Sequence, residues 1–121
     1  MTTKIHPAPA LGGNYDLRQL DSAQLGGAET ARVGLVRIGA GIRSPSEGFR
    51  TSARHEIAFI VEGTVRVDTA AGSRTVNAHD VIVSSPAEQH ATTALTDTTI
   101  FFVLIDPPTG VAPFSSSRRT R

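Results

Sequence analysis

Two ionisable residues, Glu56 and His90, have the types and positions needed for proton-transfer chemistry. Glu56 opens the apolar run E-I-A-F-I-V-E-G, and His90 follows a Ser-Ser-Pro loop and opens another run. Ionisable groups at the starts of two strands can point into one barrel mouth. A carboxyl group and an imidazole placed there can act as acid and base near neutral pH. The alternative is a buried ion pair without chemistry.

Short apolar runs separated by turn residues predict the elements that carry this pair. Alternation of apolar and polar positions is typical of strands, and helical periodicity is nearly absent, so the fold class is all-β. Strands are predicted over residues 15–20, 31–39, 56–62, 64–68, 74–77, 81–83, 89–95 and 98–105. Residues 21–29 are predicted to form a loop or at most one helical turn, and residues 39–52 a loop.

Two stretches resemble the two motifs of the cupin family. Residues 56–63 match the glutamate-to-glycine half of the first motif, and A-H-D-V-I-V (78–83) with P-A-E-Q-H (86–90) is similar to the second. His79 stands where that motif usually has a turn glycine, and a structural turn role is predicted for it. The resemblance covers roughly residues 30–106 and implies a double-stranded β-helix, the cupin jelly-roll barrel.

The chain departs from the family at the metal ligands. The first motif of the family carries His-x-His upstream of the glutamate, where this chain has Arg50 and Ser52, or Phe49 and Thr51 in the longer spacing. The resemblance implies four metal ligands: two histidines and one glutamate from the first motif and one histidine from the second. This chain retains only the glutamate, Glu56, and the second-motif histidine, His90. No metal is therefore favoured.

A rearranged metal site is the alternative. His55 adjoins Glu56, and successive strand residues point to opposite faces, so His55 should look away from the barrel. If a bulge turned it inward, His55, Glu56 and His90 would form a site with two histidines and one carboxylate. Such a site suits a divalent metal such as iron, zinc, manganese or nickel.

Five further residues are candidates for substrate binding. Arg50 could grip a carboxylate or phosphate with two hydrogen bonds, or form a salt bridge with a nearby glutamate. Ser52 neighbours it, and Ala58 and Ile60 share the face of the strand expected to line the barrel. Arg37 alternates with apolar residues, which predicts either a strand end that reaches water or an anion binder in the pocket.

The composition favours a small globular protein. With 121 residues the chain is predicted to be one domain, with a flexible arm at 1–13, a barrel at 14–114 and a disordered basic tail at 115–121. A formal net charge of +1 gives no support for nucleic-acid binding. The absence of cysteine excludes thiolate chemistry. No run is long enough for a membrane span and no signal peptide is evident, so a cytoplasmic location is expected.

The last predicted strand, 98–105, is apolar on both faces. A strand of this kind is covered on both sides, and in a small barrel the second cover is most simply another subunit, which predicts a homodimer. The leading functional hypothesis is a small-molecule enzyme of a biosynthetic pathway, acting as an isomerase, cyclase, dehydratase or epimerase on a possibly anionic metabolite. A metal-dependent enzyme and a non-catalytic binding or sensing barrel are the alternatives.

Overall fold

The structure, a computed structural model, describes residues 3–25 and 29–107. These residues form nine strands and no helix. The strands are β1 (Tyr15–Gln24), β2 (Thr30–Ile38), β3 (Arg43–Ser44), β4 (His55–Glu62), β5 (Thr64–Thr69), β6 (Gly72–Asn77), β7 (Val81–Ser84), β8 (His90–Ala94) and β9 (Thr98–Asp106). The described ranges contain no helix capable of crossing a membrane. The predicted tail at 115–121, and residues 108–114 of the predicted barrel, lie outside the described residues.

The strands form two antiparallel sheets that face each other. One sheet has five strands in the order β1-β2-β9-β4-β7, and the other has four in the order β3-β8-β5-β6. Strands that are distant in sequence are neighbours in both sheets, as β2 and β9 are in the first. The all-β prediction is therefore confirmed, and most strand positions agree with it.

Side chains that alternate along the strands fill the space between the sheets. The inward positions of β2, β4, β5 and β9 make one core cluster with residues of β8. Its buried members are Val36, Ile38, Ile60, Val65, Val67, Ala94, Ile100 and Phe102. Complete burial of a side chain of this size stabilises the fold by about 1.5–3 kcal/mol. The core thus holds the two sheets at a fixed separation.

Two loop predictions are wrong. Residues 21–24 extend β1, because a register shift between Gln19 and Asp21 lets the strand continue to pair with β2. The two-residue strand β3 lies in the predicted 39–52 loop and pairs with β8. Both segments are polar or rich in glycine, so their local composition conceals strands that tertiary pairing stabilises.

The turn before β7 is built as the sequence predicts. His79 has a φ of 76°, and its ring stacks on Phe59 with 5.9 Å between ring centroids. The Asn77 N–H donates to Asp80 Oδ2 at 2.9 Å, which closes the turn. The structural role predicted for His79 is confirmed.

Arg37 does not line the cavity, so the predicted placement of its side chain in the pocket is wrong. It lies on the face of β2 that points away from the other sheet, because Val36 and Ile38 point inward. Its Nε donates to the Gly13 carbonyl oxygen at 3.0 Å, and its Nη2 pairs with Asp97 Oδ2 at 3.2 Å. Arg37 therefore ties the N-terminal segment to the turn before β9.

Replacing Asp97 with asparagine should destabilise the protein more at neutral pH than at acidic pH. The Ala40 N–H and then Arg37 hold the pKa of Asp97 below its ordinary value of 3.8. A depressed pKa in the folded state gives stability that is present above the unfolded pKa and lost as the pH falls through the folded pKa. Urea unfolding at about pH 7 and about pH 3 should show that the difference in free energy of unfolding between the variant and the wild type is smaller at the lower pH.

The exposed loop residue Glu47 provides the control. Glu47→Gln should stay within about 0.5 kcal/mol of wild type at both pH values. If Asp97→Asn lowered the free energy of unfolding by the same amount at every pH, the electrostatic explanation would be contradicted.

Candidate functional site

The two sheets enclose a cavity of about 430 Å³. Its wall is apolar over much of its area, with contributions from β1, β2, β7 and β9. Five serine and threonine residues add hydroxyl groups to the wall. The ionisable side chains that line the cavity include Arg50, Arg54, Glu56 and His90. An apolar cavity with a few convergent polar groups is the usual form of a small-molecule site.

Glu56 reaches the cavity from the five-stranded sheet. It is the second residue of β4 and lies opposite Ser84 of β7 and Leu104 of β9, both of which also line the cavity. The alternation along β4 turns Glu56 and Ala58 inward. The predicted positions of Glu56 and Ala58 in the barrel are therefore those observed.

His90 reaches the same cavity from the four-stranded sheet. It opens β8 opposite Thr69 of β5, and its backbone exchanges two hydrogen bonds with Arg50, of 2.8 and 3.1 Å. Its Nδ1 atom is buried and has no hydrogen-bond partner among the described residues. Burial of a polar atom without a hydrogen-bond partner costs about 1–3 kcal/mol.

Glu56 and His90 thus face one cavity from opposite sheets. Among the described residues, no ion pair or hydrogen bond links their side chains. The buried ion pair that the sequence left open as an alternative is not formed. Both groups are directed to the space between the sheets rather than to each other.

Arg50 and Ser52, the pair of the shorter motif spacing, both line the cavity, whereas only Thr51 of the longer spacing does. Arg50 Nη2 donates to Ser44 Oγ at 2.6 Å. Phe49, from the longer spacing, is 51% exposed and lies under the Arg43 guanidinium, 5.6 Å from its ring centroid. The alternative salt bridge from Arg50 to a glutamate is not present in the described ranges.

Arg54 is a cavity residue that the sequence prediction missed. Its Nε pairs with Asp106 Oδ1 at 3.1 Å, and Asp106 also accepts from Arg32 Nε at 2.9 Å. Asp106 at the end of β9 therefore holds the Arg54 side chain. A spacing of two residues could have identified Arg54 as a cavity residue, because the even-numbered positions from Arg50 to Ala58 all line the cavity.

One predicted substrate-binding residue of β4 lies outside the cavity, and His55 lies on the side where strand alternation placed it. Ile60 points inward but is 0% exposed and belongs to the core beneath the cavity, so it is not a substrate contact. His55 is exposed on the opposite face of β4, as the alternation of the strand predicts. The rearranged metal site of His55, Glu56 and His90 is therefore not assembled.

No protein-family model matches the sequence, and no curated protein is a detectable relative. The fold is found in solved structures. A conserved protein of unknown function from Streptococcus pyogenes is 17% identical with a TM-score of 0.66, covering 85% of this chain and 91% of that chain. A cupin superfamily protein from Desulfitobacterium hafniense is 12% identical, with a TM-score of 0.64 and coverages of 81% and 83%. An RmlC-like cupin from Shewanella frigidimarina is 15% identical, with a TM-score of 0.60 and coverages of 89% and 84%.

The chain has the cupin fold. The predicted double-stranded β-helix is thereby confirmed. At these identities the likeness establishes the architecture of the cupin barrel and leaves its chemistry to be argued from the cavity.

The cavity residues do not fit the metal site that the cupin resemblance implies. Arg50 and Ser52 stand in place of the first two histidines, and the guanidinium of Arg50 offers no lone pair to a cation. The described residues contain no group of three histidine, aspartate or glutamate side chains that could hold a metal ion.

Proposed function

We propose that this cupin barrel is an enzyme that transfers protons on a small organic anion. Its reaction would be an isomerisation, epimerisation, cyclisation or dehydration in a biosynthetic pathway. The observation that carries the proposal is the placement of Glu56 and His90 on opposite walls of one cavity.

The two groups divide the reaction between them. The Glu56 carboxylate removes a proton from a C–H bond of the substrate, and the electron pair of that bond stays on the substrate. The His90 imidazolium donates a proton to a second substrate atom, so the proton count of the substrate is restored. A proton then passes from Glu56 to solvent and another from solvent to His90. General acid–base catalysis of this kind accelerates a reaction by about 10²–10⁴-fold.

The charges of the cavity favour an anionic substrate. Two arginines, Arg50 and Arg54, line it together with a single glutamate. Hydrogen bonds to Ser44 and Asp106 hold the two guanidinium groups. An arginine held in this way is suited to a carboxylate or phosphate, which it can bind through two parallel hydrogen bonds. The apolar wall, including Leu17 and Phe102, would contact the carbon skeleton.

A panel of small organic acids incubated with the protein in D₂O tests the proposal whatever the product of the reaction is. Removal of a substrate proton by Glu56 exchanges it with solvent, so the proton NMR signal of one C–H should fade as deuterium enters. We expect exchange or conversion for at least one acid that also raises the melting temperature. Acids that bind saturably and never exchange or convert would identify the barrel as a binding or sensing protein instead.

A chelator separates acid–base chemistry from a metal-dependent reaction. Exchange by the two cavity side chains should be unaffected by chelation. Loss of exchange in the chelator, followed by recovery with one divalent ion such as iron, zinc, manganese or nickel, would overturn the proposed mechanism.

Replacing Arg50 with methionine should weaken anion binding by about 10- to 100-fold, because a hydrogen bond to a charged group contributes about 1.5–3 kcal/mol. Methionine keeps much of the length and the apolar stem of the side chain but removes its charge. Arg66→Met is the matched control, since Arg66 is exposed on β5 and bonds to Asp68 outside the cavity. Titration calorimetry should show the loss in the Arg50 variant alone; equal affinities in the two variants would show that Arg50 does not contact the anion.

A further inference from the structure

The outer side of the five-stranded sheet carries a continuous apolar surface across four strands. Strand register places its side chains in two rows, each running over β7, β4, β9 and β2. We call these rows the outer apolar face: Val83, Ile57, Val103 and Val33 in one row, and Val81, Phe59, Phe101 and Leu35 in the other. No charged residue interrupts either row.

Half of this face is exposed in the single chain, and its other residues, Val33, Leu35, Phe59 and Val103, are half-buried. Val83 is 68% exposed, Val81 56%, and Ile57 and Phe101 are each 36% exposed. The opposite side of the same sheet packs against the four-stranded sheet, and no other strand of the described ranges lies on the outer side. Large exposed apolar patches with a polar rim mark protein–protein contact surfaces.

A polar rim borders the outer apolar face. Along β1 it contains the Asp16–Arg18 pair, with 2.8 Å between Asp16 Oδ1 and Arg18 Nε. Arg37 near the end of β2 and Glu62 at the end of β4 lie on either side of Thr99 of β9. Both signs of charge are therefore present around an apolar centre, which is the usual anatomy of an interface. The rim does not select a partner of one charge.

We propose that the outer apolar face binds a second copy of this chain in a two-fold dimer. The outer side of the whole sheet, which comprises the outer apolar face and its polar rim, measures about 24 Å by about 30 Å, or about 700 Å², from strand spacing and rise. That is close to the roughly 800 Å² per partner of a stable interface. An uncharged centre is complementary to itself, and two such sheets pack face to face at about 10 Å. The dimer would cover the outer residues of β9 and is independent of the chemistry of the cavity.

Light scattering coupled to size-exclusion chromatography tests the dimer with the full chain. Wild type should show twice the chain mass of 12.7 kDa. Val83→Lys should raise the dimer Kd at least about 30-fold, because a lysine there would be buried without a partner at the interface. The substitution should be tolerated in the monomer, since Val83 is the most exposed residue of the face.

A second pair of variants keeps the test valid if Val83→Lys fails to fold. Phe101→Asp should dissociate the dimer, whereas Phe49→Asp should not, because Phe49 is similarly exposed but lies in the loop between β3 and β4. Circular dichroism would confirm that each variant is folded. A wild-type mass of 12.7 kDa at all concentrations would overturn the proposal, as would a dimer that survives both changes to the face.

The C-terminal residues 108–121 are the competing occupant of the same face. A chain that ends at residue 107 should remain a dimer if a second copy covers the face. A monomeric full-length chain that becomes dimeric on this truncation would assign the face to the C-terminal segment and overturn the proposal.

Discussion

Replacing His90 with glutamine should lower turnover by about 10²–10⁴-fold, the contribution typical of one general acid or base. Glutamine retains hydrogen-bonding atoms in the cavity but cannot carry a proton at neutral pH. Substrate affinity should therefore change much less than turnover, by about threefold or less, since that corresponds to well under 1 kcal/mol. The rate of deuterium entry and the ligand Kd, measured on the same protein, separate the two effects.

His55→Gln is the matched control for this prediction. His90 lines the cavity. His55 adjoins the cavity residue Glu56 in sequence, but its side chain is exposed on the outer side of β4. Its replacement should leave turnover unchanged. Turnover retained by His90→Gln, or lost equally in both variants, would show that proton transfer through His90 is not the source of catalysis.

Replacing Gly63 with alanine should destabilise the protein by about 2–5 kcal/mol. Gly63 joins β4 to β5 with a φ of +95°, a conformation that costs other residues roughly 1–2 kcal/mol. An added Cβ would also lie 2.5 Å from Thr98 Oγ1 and 2.7 Å from Thr98 Cα, and against the Asp97 carbonyl oxygen. The contacts are partly with backbone, so relief of the clash costs about 1–3 kcal/mol more.

Gly41→Ala isolates the conformational part of this effect. Gly41 has a φ of +83°, but nothing lies within 4 Å of the position of an added Cβ. Its cost should be about 1–2 kcal/mol, from the backbone conformation alone. Urea unfolding of the two variants should therefore differ by at least about 1 kcal/mol; equal losses would show that β4 and β9 adjust to admit the extra methyl group.

Spacing within the motifs predicted Glu56 in the candidate site and left Arg50 and Ser52 as one of two possible registers upstream of it. Glu56, Arg50 and Ser52 lie at even intervals before and within β4, and a period of two places them on one face of an extended chain. The same reasoning places His55 on the opposite face. It overlooked Arg54, which obeys the period as well, because its partner Asp106 lies far away in sequence and joins it only in the folded chain.

Alternation in a strand identifies which residues share a face and does not identify the face that is buried. On β2, Val33 and Leu35 are as apolar as Val36 and Ile38, so the sequence allowed Arg37 to face either way. Packing against the four-stranded sheet buries Val36 and Ile38 and leaves Arg37 outside. The prediction that Ile60 contacts substrate is wrong for a related reason. A period of two shows that Ile60 points inward but not whether it lines the cavity or lies in the core beneath it.

The amino-acid sequence by itself determined the all-β class, most of the strands, the turn at His79 and the two residues proposed to transfer protons. These features depend on local alternation, turn residues and motif spacing, which are properties of neighbouring residues. Only the tertiary structure decided the register of β1, the cavity positions of Arg50 and Arg54, and the exposure of the outer apolar face. Each of these depends on which strands become neighbours, and strands distant in sequence pair through contacts that no local pattern contains.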